Sequence, residues 1–134
     1  MTRGDFERLI QHHMDEVLRP RGFALTPQPP ADVHDPEPFA VYEADPEEFA
    51  RRYPKLGESL LDDDPCVDIW IKHDRETERL LCELEGHPLG DLLEDADLSE
   101  VAAMIERISG SGSLVEQLDA MAVGFAAALD ANRA

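Results

Sequence analysis

Two neighbouring runs decide the fold: CVDIWIKH at residues 66–73 and TERLLCELE at residues 77–85. In the first, Val67, Ile69 and Ile71 alternate with Asp68, Trp70 and Lys72; in the second, Leu80, Cys82 and Leu84 alternate with Arg79, Leu81 and Glu83. A period of two marks a half-buried antiparallel pair, with one apolar face that helices must cover. Charge argues the register. Setting Ile71 against Leu80 would place Lys72 across from Arg79 and Asp68 across from Glu83, like charges that destabilise a ladder. Sliding by two residues avoids both clashes, so Ile69 is expected to face Leu80, Val67 to face Cys82, and Trp70 to face Arg79, whose guanidinium would lie on the indole. The loop is then His73 to Glu76.

Outward from this hairpin the chain reads as alternating helices and strands. Phe6, Leu9, Ile10, His13, Met14, Val17 and Leu18 recur at helical spacing, with Thr2 and Asp5 as candidate caps, up to Pro20. Phe23 to Thr26 is a short strand, and residues 27–38 form a proline-rich loop. Phe39 to Ala44 is another strand. Asp45, Pro46 and Glu48 then start a short helix as N-cap, first helical residue and capping-box partner. Leu56, Leu60 and Leu61 add one further turn. Past the hairpin, Gly86, His87 and Pro88 break the sheet, and Leu89 to Asp97 is an acidic linker or helical turn. Asp97 with Glu100 caps a helix through Val101, Ile105 and Ile108, which a Gly/Ser joint at 109–113 interrupts. Ser113 with Glu116 caps the last helix, where Leu114, Leu118, Met121, Phe125 and Leu129 share a face and Gly124 permits close approach. The expected fold is a single α+β domain over 1–134: a small antiparallel sheet of about four strands with helices mainly on one face.

The 134 residues hold 30 acids against 12 bases, a formal charge of -18, with 43% hydrophobic residues. That hydrophobic fraction supports a folded core, and the charge repels phosphate backbones, so nucleic-acid binding is not expected. A partner with a basic surface suits it instead. The acid is concentrated: residues 26–50 carry seven acids and no base, and residues 76–100 carry nine acids against Arg79 alone. With only Lys55 and Lys72 as lysines, a proteome-wide acidic, arginine-using bias would also produce this balance. No apolar run reaches membrane-spanning length, and the amphipathic amino-terminal segment has no signal-peptide character. Cys66 and Cys82 alternate onto opposite faces, which forbids a disulfide between them. A reduced, cytoplasmic setting is expected.

No motif carries catalytic chemistry. His12 and His13 lie about 100° apart on a helix and cannot share a pocket; His13, on the apolar side, reads as a satisfied boundary residue. His34, His73 and His87 lack ligand spacing. Asp62, Asp63 and Asp64 with Asp68 lack the alternation and glycine turn of a calcium loop, and Glu83 with Glu85 is a pair that a chain this acidic produces by chance. Catalytic, metal and cofactor sites are therefore not expected, and neither is an enzyme. The residue that stands out is Trp70, the only tryptophan, on the solvent-ward register beside Leu81, Asp68, Arg79 and Glu83. These residues have the composition of an interface hot spot; if a helix covered that face, Trp70 would instead be core.

The layout is similar to that of small acidic bacterial proteins, including toxin-neutralising immunity proteins and secretion chaperones. The likeness is one of composition and element order and transfers no residue roles. It implies a non-catalytic protein-binding module such as an inhibitor, immunity factor or adaptor. The alternatives are a dimeric chaperone joined through the C-terminal helix and a small hydrolase or metal-dependent enzyme built on the acids.

Overall fold

A computed structural model describes residues 3–27, 39–60, 65–74 and 76–133. Thr2, the proline-rich residues 28–38, Leu61 with the aspartates 62–64, and Arg75 lie outside the described residues. The elements in order are α1 (Arg3–Leu18), a 3₁₀ turn (Arg19–Arg21), β1 (Ala24–Thr26), β2 (Phe39–Ala44), α2 (Pro46–Arg52), α3 (Pro54–Leu60), β3 (Val67–Asp74), β4 (Arg79–Leu84), β5 (His87–Pro88), α4 (Leu89–Asp95), α5 (Ser99–Ser111) and α6 (Leu114–Ala131). The strands form one antiparallel sheet in the order β1-β2-β3-β4-β5. The α+β class expected from the hairpin holds.

The inner face of the sheet presents Ala40, Tyr42 and Ala44 from β2, Val67, Ile69 and Ile71 from β3, and Leu80 and Leu84 from β4, all buried. Helix α1 lies over β1 and β2, α6 lies over β4, and the two helices pack on each other. Phe6, Ile10, Met14 and Leu18 recur every fourth residue on the covered stripe of α1; Leu118, Met121, Phe125 and Leu129 recur at threes and fours on α6. Each such side chain contributes about 1.5–3 kcal/mol on leaving water. The rim of this interface is polar. His13 Nδ1 meets Asp119 Oδ1 at 2.9 Å, and Arg21 grips Asp130 through Nε and Nη2 at 3.1 and 2.8 Å. His13 is thus the boundary histidine its spacing predicts.

The hairpin register differs from the expected one. Ile69 pairs with Leu84, Trp70 with Glu83, Ile71 with Cys82, Lys72 with Leu81 and Asp74 with Arg79. The slide by two residues runs the other way. It also separates the like charges, and it sets Asp74 opposite Arg79 in register at the mouth of the turn. The apparent cost, Asp68 beside Glu85, is removed by the backbone. Glu85 sits at φ 50 and its Oε1 accepts the Asp68 N–H at 2.7 Å, so the second carboxylate bonds main chain and does not oppose the first. The connection between the strands is accordingly 75–78, and not His73 to Glu76.

Other local expectations divide. Asp45 accepts the Glu48 N–H as N-cap, but the Glu48 carboxylate turns to Arg52 at 2.7 Å and leaves the box open. Ser113 and Glu116 form the complete capping box. Asp97 does not cap α5: it lies at φ 59, and Leu98 occupies the N-cap position without a side-chain bond. Gly86 does not end the sheet. With Glu85 it has the positive φ pair of a tight hairpin turn, which returns the chain as β5 before Pro88 leads into α4. Ser109, Gly110 and Ser111 continue α5, and the break falls at Gly112.

Candidate functional site

The outer face of the sheet is laid out in rows by its register. Phe39, Lys72 and Leu81 form one row; Val41, Trp70 and Glu83 the next; Glu43, Asp68 and Glu85 the third. Apolar side chains thus dominate the end near the β3–β4 turn, and carboxylates the other. Trp70 is 43% exposed and Leu81 49%, diagonal neighbours across β3 and β4. Trp70 was expected beneath the Arg79 guanidinium. It stacks instead on Phe39, with ring centroids 5.0 Å apart and planes 23° from parallel. The diagonal geometry of neighbouring strands brings residues of this size into reach.

Arg79 is held elsewhere. Its Nη2 donates to Glu106 at 2.9 Å and its Nε to the Ser109 carbonyl, so it ties β4 to α5. Of the five residues singled out in the sequence, Trp70, Leu81, Glu83 and Asp68 share the outer face and Arg79 leaves it for the helix. Phe39 and Glu43 belong to the surface and were not singled out, and Val41, on the same face by register, is buried. Their own alternation in 39–44 signals a strand, but only the pairing of β2 with β3 reveals which face they share.

The acidic row contains a closer cluster. Glu43, Cys66 and Asp68 bring one ligand-type atom each within 4.8 Å of one another, all half-buried. The Cys66 thiol donates to Asp68 Oδ1 at 3.1 Å. That hydrogen bond, aided by burial and the charges of Asp68, Glu43 and Glu85, pushes the thiol up to about 12. A cation there would meet two carboxylates and a proton-bearing sulfur, a donor set that gives up a proton before the sulfur can ligate. Cys82, on the inner register opposite Ile71, is also raised to about 12, by burial and then by Glu83. Neither cysteine is in a disulfide.

Inside the fold, Tyr42 donates its hydroxyl to Asp15 Oδ1 at 2.6 Å, and burial followed by this bond raises its pKa far above the ordinary phenol value. These are fixed, satisfied contacts beneath the sheet. No helix in the described part is long and apolar enough to cross a membrane. No family model, curated protein or solved structure matches this chain.

Proposed function

We propose that the chain is a non-catalytic acidic protein-binding module that takes a basic protein surface on the outer face of its sheet. The observation that carries this reading is the exposed Trp70, propped on Phe39, beside the exposed Leu81 and bordered by Glu83, Asp68 and Glu43. Tryptophan yields the largest interface energies when a partner desolvates it, and a carboxylate rim selects a basic partner and speeds its approach. An inhibitor, immunity factor or adaptor would use such a face. The apolar stripe of α6, by contrast, is spent on the core, and only Val115 and Val123 of its large apolar residues stay exposed. This favours the sheet over the terminal helix as the contact.

The test is comparative capture from extract of the native host, with the wild-type chain and the pair Trp70→Ala with Glu83→Lys as baits. A specific basic partner retained by the wild type and lost from the variant is the expected result. Equal retention by both would remove this surface from the reading.

A further inference from the structure

We infer that Trp70 receives an arginine side chain of the partner, in preference to a lysine, on the ring face turned away from Phe39; this rests on the outer sheet face being the contact. The register locates that ring face. Phe39 lies diagonally from Trp70, on β2 and one row toward the β3–β4 turn, and stacks on it with the planes 23° apart. The opposite diagonal from Trp70 leads to Glu85, just past the end of β4 and one row away from that turn. A ring that gives one face to Phe39 therefore gives the other to the carboxylates. Glu83 stands straight across on β4, Asp68 two residues back on β3, and Glu85 between and behind them. An offset in the stack tilts the ring toward Glu83 or toward Asp68, and it meets a carboxylate either way.

Diagonal neighbours across two strands start about 7–8 Å apart, and a group stacked on a ring sits about 3.5–4 Å from it. The space between indole and acids thus takes one planar layer. Among the described residues no cation fills it: Arg79 is held by Glu106 and Ser109, and Lys72 shares the row of Phe39. Two of the acids are fixed. Glu85 Oε1 accepts the Asp68 N–H at 2.7 Å, and Asp68 Oδ1 accepts the Cys66 thiol at 3.1 Å. Glu83 is exposed and free to turn toward an incoming group. A guanidinium fits this slot because it lies flat on the indole while its in-plane N–H groups reach carboxylates at the side of the ring. An ammonium is a compact, strongly hydrated point charge, which gains the charge attraction without the stacked contact. The place on the indole that Arg79 leaves open is thereby suited to a guanidinium from outside.

Because Trp70 is the only tryptophan, its emission and its indole N–H report on this slot alone. The experiment titrates the ¹⁵N-labelled chain with blocked tetra-arginine and tetra-lysine peptides of equal charge, read by both signals. The expected result is saturable binding in which the arginine peptide perturbs the indole and binds about tenfold or more tightly than the lysine peptide. In the pair Glu83→Gln with Asp68→Asn, and in Trp70→Leu followed by backbone amide shifts, the two peptides should bind equally. Trp70 and Glu83 are exposed, so replacing them spares the core. Equal wild-type affinity for the two peptides, an unmoved indole, or a preference that survives Trp70→Leu would overturn the inference. Capture of a basic host partner, lost with Trp70→Ala and Glu83→Lys, would then still carry the broader reading. An arginine preference beside host capture indifferent to those substitutions would do the reverse, keeping the slot and removing the partner.

Discussion

The side chain of Gln117, buried in α6, stands in for a missing strand beside Leu80: its Oε1 accepts the Leu80 N–H at 2.8 Å. The same amide donates from Nε2 to the carbonyls of Glu78 and Gly112 at 3.1 and 3.3 Å. One side chain thereby satisfies the strand edge, the hairpin turn and the break between α5 and α6. Replacing it with Gln117→Leu keeps the volume but strands buried main-chain groups, at about 1–3 kcal/mol for each group left dry. Urea unfolding should show a loss of about 2–3 kcal/mol. A loss below 0.5 kcal/mol would mean that water replaces the amide at no cost.

A glycine in the same helix sets how close its neighbours come. A Cβ built on Gly124 would overlap Ile105 Cδ1 of α5 and lie 3.0 Å from Leu89 Cδ2 of α4. In a solvated helix, glycine to alanine gains about 1 kcal/mol. Here overpacking opposes that gain, and Gly124→Ala should destabilise by about 1 kcal/mol net. A thermal melt at or above the wild-type midpoint would show that Ile105 and Leu89 move aside freely.

How far the sequence discloses such relationships depends on their range. The caps at Asp45 and Ser113 are legible because donor and acceptor lie three residues apart. The alternation in 66–73 is legible because the inner face is continuous. The β3–β4 register is not, since shifting either way by two residues relieves the same charge clash. What separates the two is distant or conformational: Gln117 waiting for Leu80, and Glu85 turning at positive φ onto Asp68. Phe39 and Glu43 escape notice for a related reason, because membership of the outer face requires knowing that β2 neighbours β3. The serines of 109–113 suggest a joint, yet Arg79 reaches back to Ser109 and helical geometry persists to Ser111. Asp97 fails as a cap through its left-handed backbone.

Acid should loosen the junction of α1 and α6. The Asp130 carboxyl is held below its ordinary value chiefly by the Arg21 hydrogen bonds, and the same bonds raise the Arg21 guanidinium. With the folded pKa below the unfolded one, near 3.9, the unfolded state takes up the proton first as pH falls. The stabilisation is therefore complete above the unfolded value and is lost as pH drops through the folded one. Because the Asp130 side chain is half exposed, the contribution is at most about 1 kcal/mol. Asp130→Asn should lower the melting temperature at neutral pH and bring variant and wild type together near pH 2–3. A constant gap across the range would show that the ionised pair is not the source.

The two thiols should differ in what silences them. Cys66 is raised first by its bond to Asp68, Cys82 first by burial. Both should alkylate slowly at pH 8, because only the thiolate attacks. Asp68→Asn removes a charge beside Cys66 and should speed its alkylation about tenfold, while Cys82 stays slow. Site-resolved mass spectrometry of iodoacetamide-treated protein separates the two. If Asp68→Asn leaves the Cys66 rate unchanged, access and not the carboxylate controls it.

The Phe39–Trp70 stack should be worth measuring as a pair, because it holds the indole in the pose the proposed partner meets. Aromatic pairs of this geometry contribute about 0.5–1.5 kcal/mol beyond their buried area. A double-mutant cycle of Phe39→Ala, Trp70→Ala and both should return a coupling in that range by urea unfolding. Phe39→Ala should also weaken partner capture without removing Trp70, since an unpropped indole loses rotamer freedom on binding that the stacked one has already given up. A coupling near zero, or undiminished capture by Phe39→Ala, would leave Trp70 as an isolated exposed ring and withdraw the preorganised surface from the argument.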